Sequence, residues 1–266
     1  MSTAQKIIKK VAIAFAIFLI ITIFSAIISA GIAVIYEFSS DDDMVVSDKK
    51  ITSDEIKNMD ISLKYASLKI KTGNKLKVST TSKYVTVLNY DGILKITEKN
   101  DRQLFKHEKK NVILYLPLDM KFDNINIETG AGRVNIDNIL TNGLNLTLGV
   151  GKTTINNINV EYANIETGTG DVLIKEGNLK NTSIEMGIGK LDVGAKFTGN
   201  NNIEAGIGDM KLRLSGDDYK IKFSKGLGSI YYNDDVVAND AVIGDGVNYI
   251  EIEGGIGTIS VNTQRS

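Results

Sequence analysis

The stretch NINIETGAGRVNI at residues 124–136 returns as GLNLTLGVGKTTI at 143–155, YANIETGTGDVLI at 162–174, NTSIEMGIGKLDV at 181–193 and NNNIEAGIGDMKL at 200–212. The first glycine of each Gly-x-Gly falls at Gly130, Gly149, Gly168, Gly187 and Gly206, always 19 residues apart, with the second at Gly132, Gly151, Gly170, Gly189 and Gly208. Gly226-x-Gly228 follows after 20 residues and Gly255-x-Gly257 after 29. The last interval therefore carries an insertion, placed at 233–245. A fixed period of this length means that each unit completes its core with its neighbours.

Within a copy the apolar residues stand two apart on either side of the glycines: Ile125, Ile127, Val134 and Ile136; Ala163, Ile165, Val172 and Ile174; Ile203, Met210 and Leu212; Ile250, Ile252, Ile259 and Val261. Period two means strands with one buried face. The glycine pair marks a corner between them, since glycine alone takes φ > 0 cheaply and lets backbones approach closely. A looser apolar position at Ile139, Ile158, Leu179 and Phe197 implies a third side. The fold class expected is all-β: a single-stranded, right-handed β-helix-like solenoid of about 19 residues per coil.

Upstream, Met59, Ile61, Leu68 and Ile70 reproduce the core offsets if Lys64 and Ala66 occupy the glycine sites, which reads as a degenerate first coil. Strands at 84–89 and 93–97 flank the hairpin signal Tyr90-Asp91-Gly92, and a strand at 111–116 ends at Pro117, the only proline. The charged run EKNDRQLFKHEKK at 98–110 reads as an exposed loop.

Residues 11–34 form an uncharged apolar run, long enough to cross about 30 Å of hydrocarbon as a helix. Lys6, Lys9 and Lys10 precede it, and Glu37, Asp41, Asp42 and Asp43 follow. The positive-inside bias then places 1–10 in the cytoplasm, a transmembrane helix at 11–36, a polar linker at 37–54 and the solenoid at 55–261 outside. A cleaved signal would have a shorter apolar region and a small-residue cleavage site.

The chain has no cysteine, which excludes disulfides, thiolate metal sites and a lipid-modified cysteine. Its net charge of −1 gives no global field toward nucleic acid. His107 is the only histidine, so a zinc site or a Ser-His-Asp triad has no partners to draw on. Gly149-Val150-Gly151-Lys152-Thr153 resembles the end of a phosphate-binding loop, but Leu146 stands where that motif needs glycine and a strand follows where it needs a helix. No catalytic, cofactor or metal residue is assigned.

Alternation turns Asn126, Asn145, Asn164 and Asn202 outward, together with Glu128, Glu166, Glu185, Glu204 and Glu253. Stacked coils bring equivalent side chains to about 4.8 Å, where carboxylates repel one another unless cations or lysines screen them. The functional reading is a binding ladder; the plainer one is a solvated face copied by duplication. Beyond the corner, Arg133, Lys152, Asp171, Lys190 and Asp209 form a row whose later members alternate in sign.

The block VILYLPLDMKFDNINIETGAGRVNIDNI at 112–139, followed by serial Gly-x-Gly coils behind a membrane segment, resembles the bacterial "putative adhesin" family, a β-strand-repeat domain of unknown function. Some members of that family are membrane-anchored and encoded with cell-envelope-stress regulators. The resemblance implies a bacterial cytoplasmic-membrane location with the solenoid extracytoplasmic, and it supplies no catalytic residues. The leading expectation is a non-enzymatic envelope protein that binds wall polymer or another envelope protein, with no nucleic-acid partner and no cofactor. A carbohydrate-active β-helix enzyme is the alternative, and an envelope scaffold self-associating through an uncapped C-terminal coil is the second. An uncovered coil is an unpaired edge, although the 233–245 insertion could cover it.

Overall fold

The computed structural model describes residues 47–50, 56–99 and 110–264. The transmembrane expectation at 11–36 and most of the charged run, including His107, fall outside them. No helix among the described residues is long and apolar enough to cross a membrane.

The chain forms β1 (Ser47–Lys50), β2 (Asn58–Leu63), β3 (Ser67–Thr72), β4 (Lys77–Thr80), β5 (Val85–Tyr90), β6 (Ile93–Glu98), β7 (Asn111–Leu116), β8 (Phe122–Lys180), β9 (Thr182–Thr198), β10 (Asn200–Ser215), β11 (Tyr219–Tyr232), β12 (Asp235–Val236), β13 (Val242–Ile243) and β14 (Asn248–Gln264). Successive turns of β8, β9 and β10 pair parallel at the 19-residue offset, with Ile165 beside Ile184 and Ile184 beside Ile203. The alternating residues Ile127, Ile165, Ile184, Ile203 and Ile252 are fully buried. Each buried aliphatic side chain contributes about 1.5–3 kcal/mol. Ordering the backbone costs roughly 1–2 kcal/mol per residue, so a lone coil cannot fold and the stack must.

The corners follow from close backbone approach. At Gly189, φ is +140°, and a Cβ would fall on the carbonyl oxygen of Gly170 in the preceding coil. The third side is buried at Ile139, Ile158, Leu179 and Phe197, with Leu179 opposite Phe197. A bulge between Ile174 and Asn178 shifts the register there by one residue. Asn201 knits this side together: its amide nitrogen donates to the carbonyls of Thr198 (3.1 Å) and Tyr249 (3.3 Å), and its oxygen accepts from the Thr182 N–H (3.0 Å).

The degenerate coil takes the place the offsets indicate. Met59 pairs with Ile125, Ile61 with Ile127, Leu68 with Val134 and Ile70 with Ile136. Lys64 and Ala66 lie against Gly130 and Gly132, and the Ala131 N–H donates to the Lys64 carbonyl at 2.7 Å. The hairpin expected around Tyr90-Asp91-Gly92 joins antiparallel β5 and β6, with positive φ at both Asp91 and Gly92.

Coil order in space departs from chain order at both ends. β6 and β7 lie beside β2 and β3, on the side away from β8, and β5 and β4 cover them antiparallel. At the other end β14 sits between β10 and β11, with Ile252 beside Ile203 on one side and Phe223 on the other. The expected open edge at the C-terminal coil is thus corrected: that coil is enclosed. The outermost coil is β11, and β12 and β13, both from the 233–245 insertion, pair antiparallel with it.

Candidate functional surface

The outward face of the first side carries the expected rows in register. Glu166 pairs with Glu185, Glu185 with Glu204 and Glu204 with Glu253, so four glutamates stand on adjacent coils. Glu128 is separated from them by the coil of Thr147, and Ser62 and Ser224 continue the row at either end. All five glutamates are exposed, as are Asn126 and Asn145, while Asn164 and Asn202 are half-buried. The half-buried amides are spent within their own strands, Asn164 donating to Glu166 and Asn202 to Glu204, each at 2.8 Å. These bonds hold the carboxylates at a fixed angle to the face, and the Asn126 amide donates to Asp60 at 3.3 Å.

Lysines close the neighbouring row at its two ends. Lys95 lies 3.0 Å from Asp60, and Lys222 lies 2.6 Å from Glu251. In each pair the hydrogen bond to the carboxylate, helped by its charge, raises the ammonium pKa. On the third side Lys180 donates to Glu161 at 2.7 Å, raising the lysine pKa and lowering that of the carboxyl. Asn157 donates to Asn138 and Asn178 to Asn159, each bridging adjacent coils. The alternating row beyond the corner is also in register, with Lys190 between Asp171 and Asp209.

Two features went unread in the sequence. The residues between the corner glycines run along the stack as Ala131, Val150, Thr169, Ile188, Ile207, Ile256 and Leu227, so the far part of the row is wholly aliphatic, and Leu227 is 72% exposed. Listing the middle residue of each Gly-x-Gly would have found it. The second is Glu98, the last residue of β6, expected in an exposed loop and in fact 2% exposed. Its Oε2 accepts from the backbone N–H groups of Lys64 (2.8 Å), Tyr65 (2.8 Å) and Ala66 (2.9 Å), and its Oε1 is buried without a hydrogen-bond partner. Ile61 to Leu68 is seven positions and the paired span Ile96 to Val112 is sixteen, so the outer coil has nine extra residues at its corner. At the corner of the β2–β3 coil the Glu98 carboxylate is the acceptor for three successive backbone N–H groups.

No group of residues suited to hold a metal ion occurs among the described residues. Two shallow crevices, one under Pro117 and one at the corner of Gly149 and Gly151, have room for about one water each. The outward face of the first side offers a regular array of amide and carboxylate groups.

A parallel stack of glycine-cornered coils with capped ends defines a β-solenoid-like repeat domain. The chain belongs to the Toastrack DUF4097 family, whose profile matches residues 44–235. No curated protein matches it. Among solved structures it is similar to a "putative cell adhesion protein" from Clostridium sporogenes, at 17% identity over 82% of this chain and 98% of that one, with a TM-score of 0.38. A "putative adhesin" from Bacteroides fragilis is 14% identical over 81% of this chain and 95% of that one, with a TM-score of 0.38. A "putative lipid binding protein" from Parabacteroides distasonis is 13% identical over 82% and 96%, with a TM-score of 0.39.

Proposed function

We propose that the chain is a non-enzymatic envelope protein, held in the cytoplasmic membrane by residues 11–34 with its solenoid outside, and that the glutamate face binds an envelope partner. The supporting observation is the in-register run Glu166, Glu185, Glu204 and Glu253. Four carboxylates repeating at about 4.8 Å accept hydrogen bonds from a linear partner that offers hydroxyl or amino groups along its length, as a wall polymer does. The Asn164 and Asn202 amides hold two of these carboxylates in place beforehand, which lowers the ordering cost of binding.

The test is co-sedimentation of the full chain in membrane vesicles with purified wall material, comparing wild type with the quadruple Glu→Gln variant. Loss of binding is expected, and retention at wild-type level removes the glutamate row as the contact. Incubation with a glycan panel examines the non-enzymatic part, which release of reducing ends or unsaturated sugars would overturn. A link to the envelope-stress response predicts altered expression of stress genes when the chain is deleted, and no change would remove that link.

A further inference from the structure

The net charge of −1 conceals a division along the stack. Residues 56–99 and 110–121 carry eleven Lys against four Asp and Glu, whereas 122–264 carry eleven Lys and Arg against nineteen Asp and Glu. The first group builds the end made of β2 to β7, and the second builds the rest. Charge counted over the whole chain hides this, and charge counted by segment exposes it.

At the basic end the lysines are interleaved with aromatic rings. Lys77 pairs in register with Tyr115, and Tyr115 with Lys71. The Lys77 Nζ stands 6.0 Å from the Tyr115 ring centre. Around the corner, Lys83 and Lys110 place their Nζ atoms 5.3 and 5.2 Å from the centre of the Tyr84 ring. Lys75 and Lys83 are exposed, and the hairpin strand β5 adds Leu88 at 51% and Tyr90 at 45% exposure. Of the four acids, Asp60 is paired with Lys95 and Glu98 is buried. Lysine ammoniums beside tyrosines and an exposed leucine form the combination that suits a lipid headgroup layer, where phosphates meet acyl chains.

We propose that this end docks on the anionic phospholipid headgroups of the bilayer that residues 11–34 enter, a proposal that rests on the anchored reading above. Two further observations favour a bilayer. β1 pairs with β4 at this same end, so the chain leaves the solenoid from the face in question. Only residues 35–46 separate β1 from the apolar run, a tether of at most about 40 Å. Each lysine close to an anionic leaflet contributes about 1 kcal/mol, and the acidic remainder is repelled by the same surface. Attraction at this end and repulsion of the acidic remainder turn the basic end toward the headgroups.

The absence of cysteine makes the test clean. A single cysteine is introduced into the full chain at Asn74, in the basic part, or at Asp234, in the opposite cap, labelled with a donor dye, and the protein is placed in nanodiscs carrying an acceptor lipid. Changing the lipid from phosphatidylcholine to equal parts phosphatidylcholine and phosphatidylglycerol is expected to increase transfer from position 74 and decrease it from position 234. Both changes are expected to disappear as added salt shortens screening from about 10 Å at 0.1 M to about 3 Å at 1 M. The triple variant Lys71→Glu, Lys75→Glu, Lys83→Glu is expected to abolish them too, and the salt titration of wild type decides the matter if that variant does not fold. Transfer from position 74 that ignores lipid charge overturns the docking. So does binding of soluble polyphosphate to the chain in neutral discs together with no change in transfer on adding phosphatidylglycerol, since the occupant is then a free polyanion. Loss of the chain from the discs under an alkaline wash overturns the anchor and the docking together, whereas retention with charge-independent transfer overturns the docking alone.

Discussion

The two ends of the solenoid are built by the same device from unrelated sequences. Counting inward from either terminus, the chain first makes the next-to-outermost coil (β2–β3 or β14), then antiparallel cover strands (β4 and β5, or β13 and β12), then the outermost coil (β6–β7 or β11), and only then joins the regular stack. Each terminal coil is clamped on both sides, and short antiparallel strands pair with the outermost coils, β5 and β4 along β6 and β7 and β13 and β12 at the two ends of β11, a recognised way to blunt edge-to-edge association. The ends differ at the corner. Near the C-terminus, Gly226 and Gly228 lie over Gly255 and Gly257 as in the middle of the stack. Near the N-terminus, the acceptor for the Lys64 to Ala66 corner is a side chain, Glu98. A solenoid corner thus needs an acceptor for its N–H groups, and glycine is one way to bring it close.

The comparison is broken most severely at a glycine corner. Gly189→Val sets a side chain into the Gly170 carbonyl at a φ of +140°. A loss of about 4 kcal/mol or more is expected, read as a collapse of the urea midpoint by circular dichroism. At the carboxylate corner Glu98→Ala leaves three donors without their acceptor. An expected loss of about 2–3 kcal/mol, with Glu98→Gln recovering part of it, would show that the acceptor matters more than the charge. Equal losses for the two variants would assign the effect to the charge instead.

Tyr219 ties the start of the outermost C-terminal coil inward, its hydroxyl donating to the Ser215 carbonyl at 2.6 Å and accepting from the Phe197 N–H at 3.3 Å. Tyr219→Phe is expected to cost about 1 kcal/mol at neutral pH. Burial raises the Tyr219 pKa above the ordinary value of 10.0. The unfolded chain therefore loses this proton first as pH rises past 10, and folded stability falls from there upward. The stability difference between wild type and Tyr219→Phe should shrink over that range, and a constant gap would contradict the buried-phenol account. The smallest effect is expected at the half-exposed Lys222 and Glu251 pair, where Lys222→Ala should leave the thermal midpoint within error and a clear drop would mark the pair as a clamp between β11 and β14.

The strands, the glycine corners, the hairpin and even the glycine-free coil at Lys64 and Ala66 were legible in the sequence, because period and steric need both leave marks on residue type. Coil order at the C-terminal end was not. Ile221, Phe223, Ile250 and Ile252 satisfy the same two-residue alternation, so their pattern is compatible with either coil lying next to Ile203. The buried role of Glu98 was hidden by its place in a charged run, which looks solvated residue by residue. The alternation that turns the glutamates outward is legible in the sequence, but the Asn164 and Asn202 amides that orient two of them emerge only from the geometry.

The enclosed position of β14 also bears on the order of assembly. The segment that closes the stack follows β11 in the chain, yet its place lies between β10 and β11. The coils of β10 and β11 can reach their final pairing only once β14 has been made. Until then β10 and β11 each lack the parallel neighbour that covers them in the finished stack.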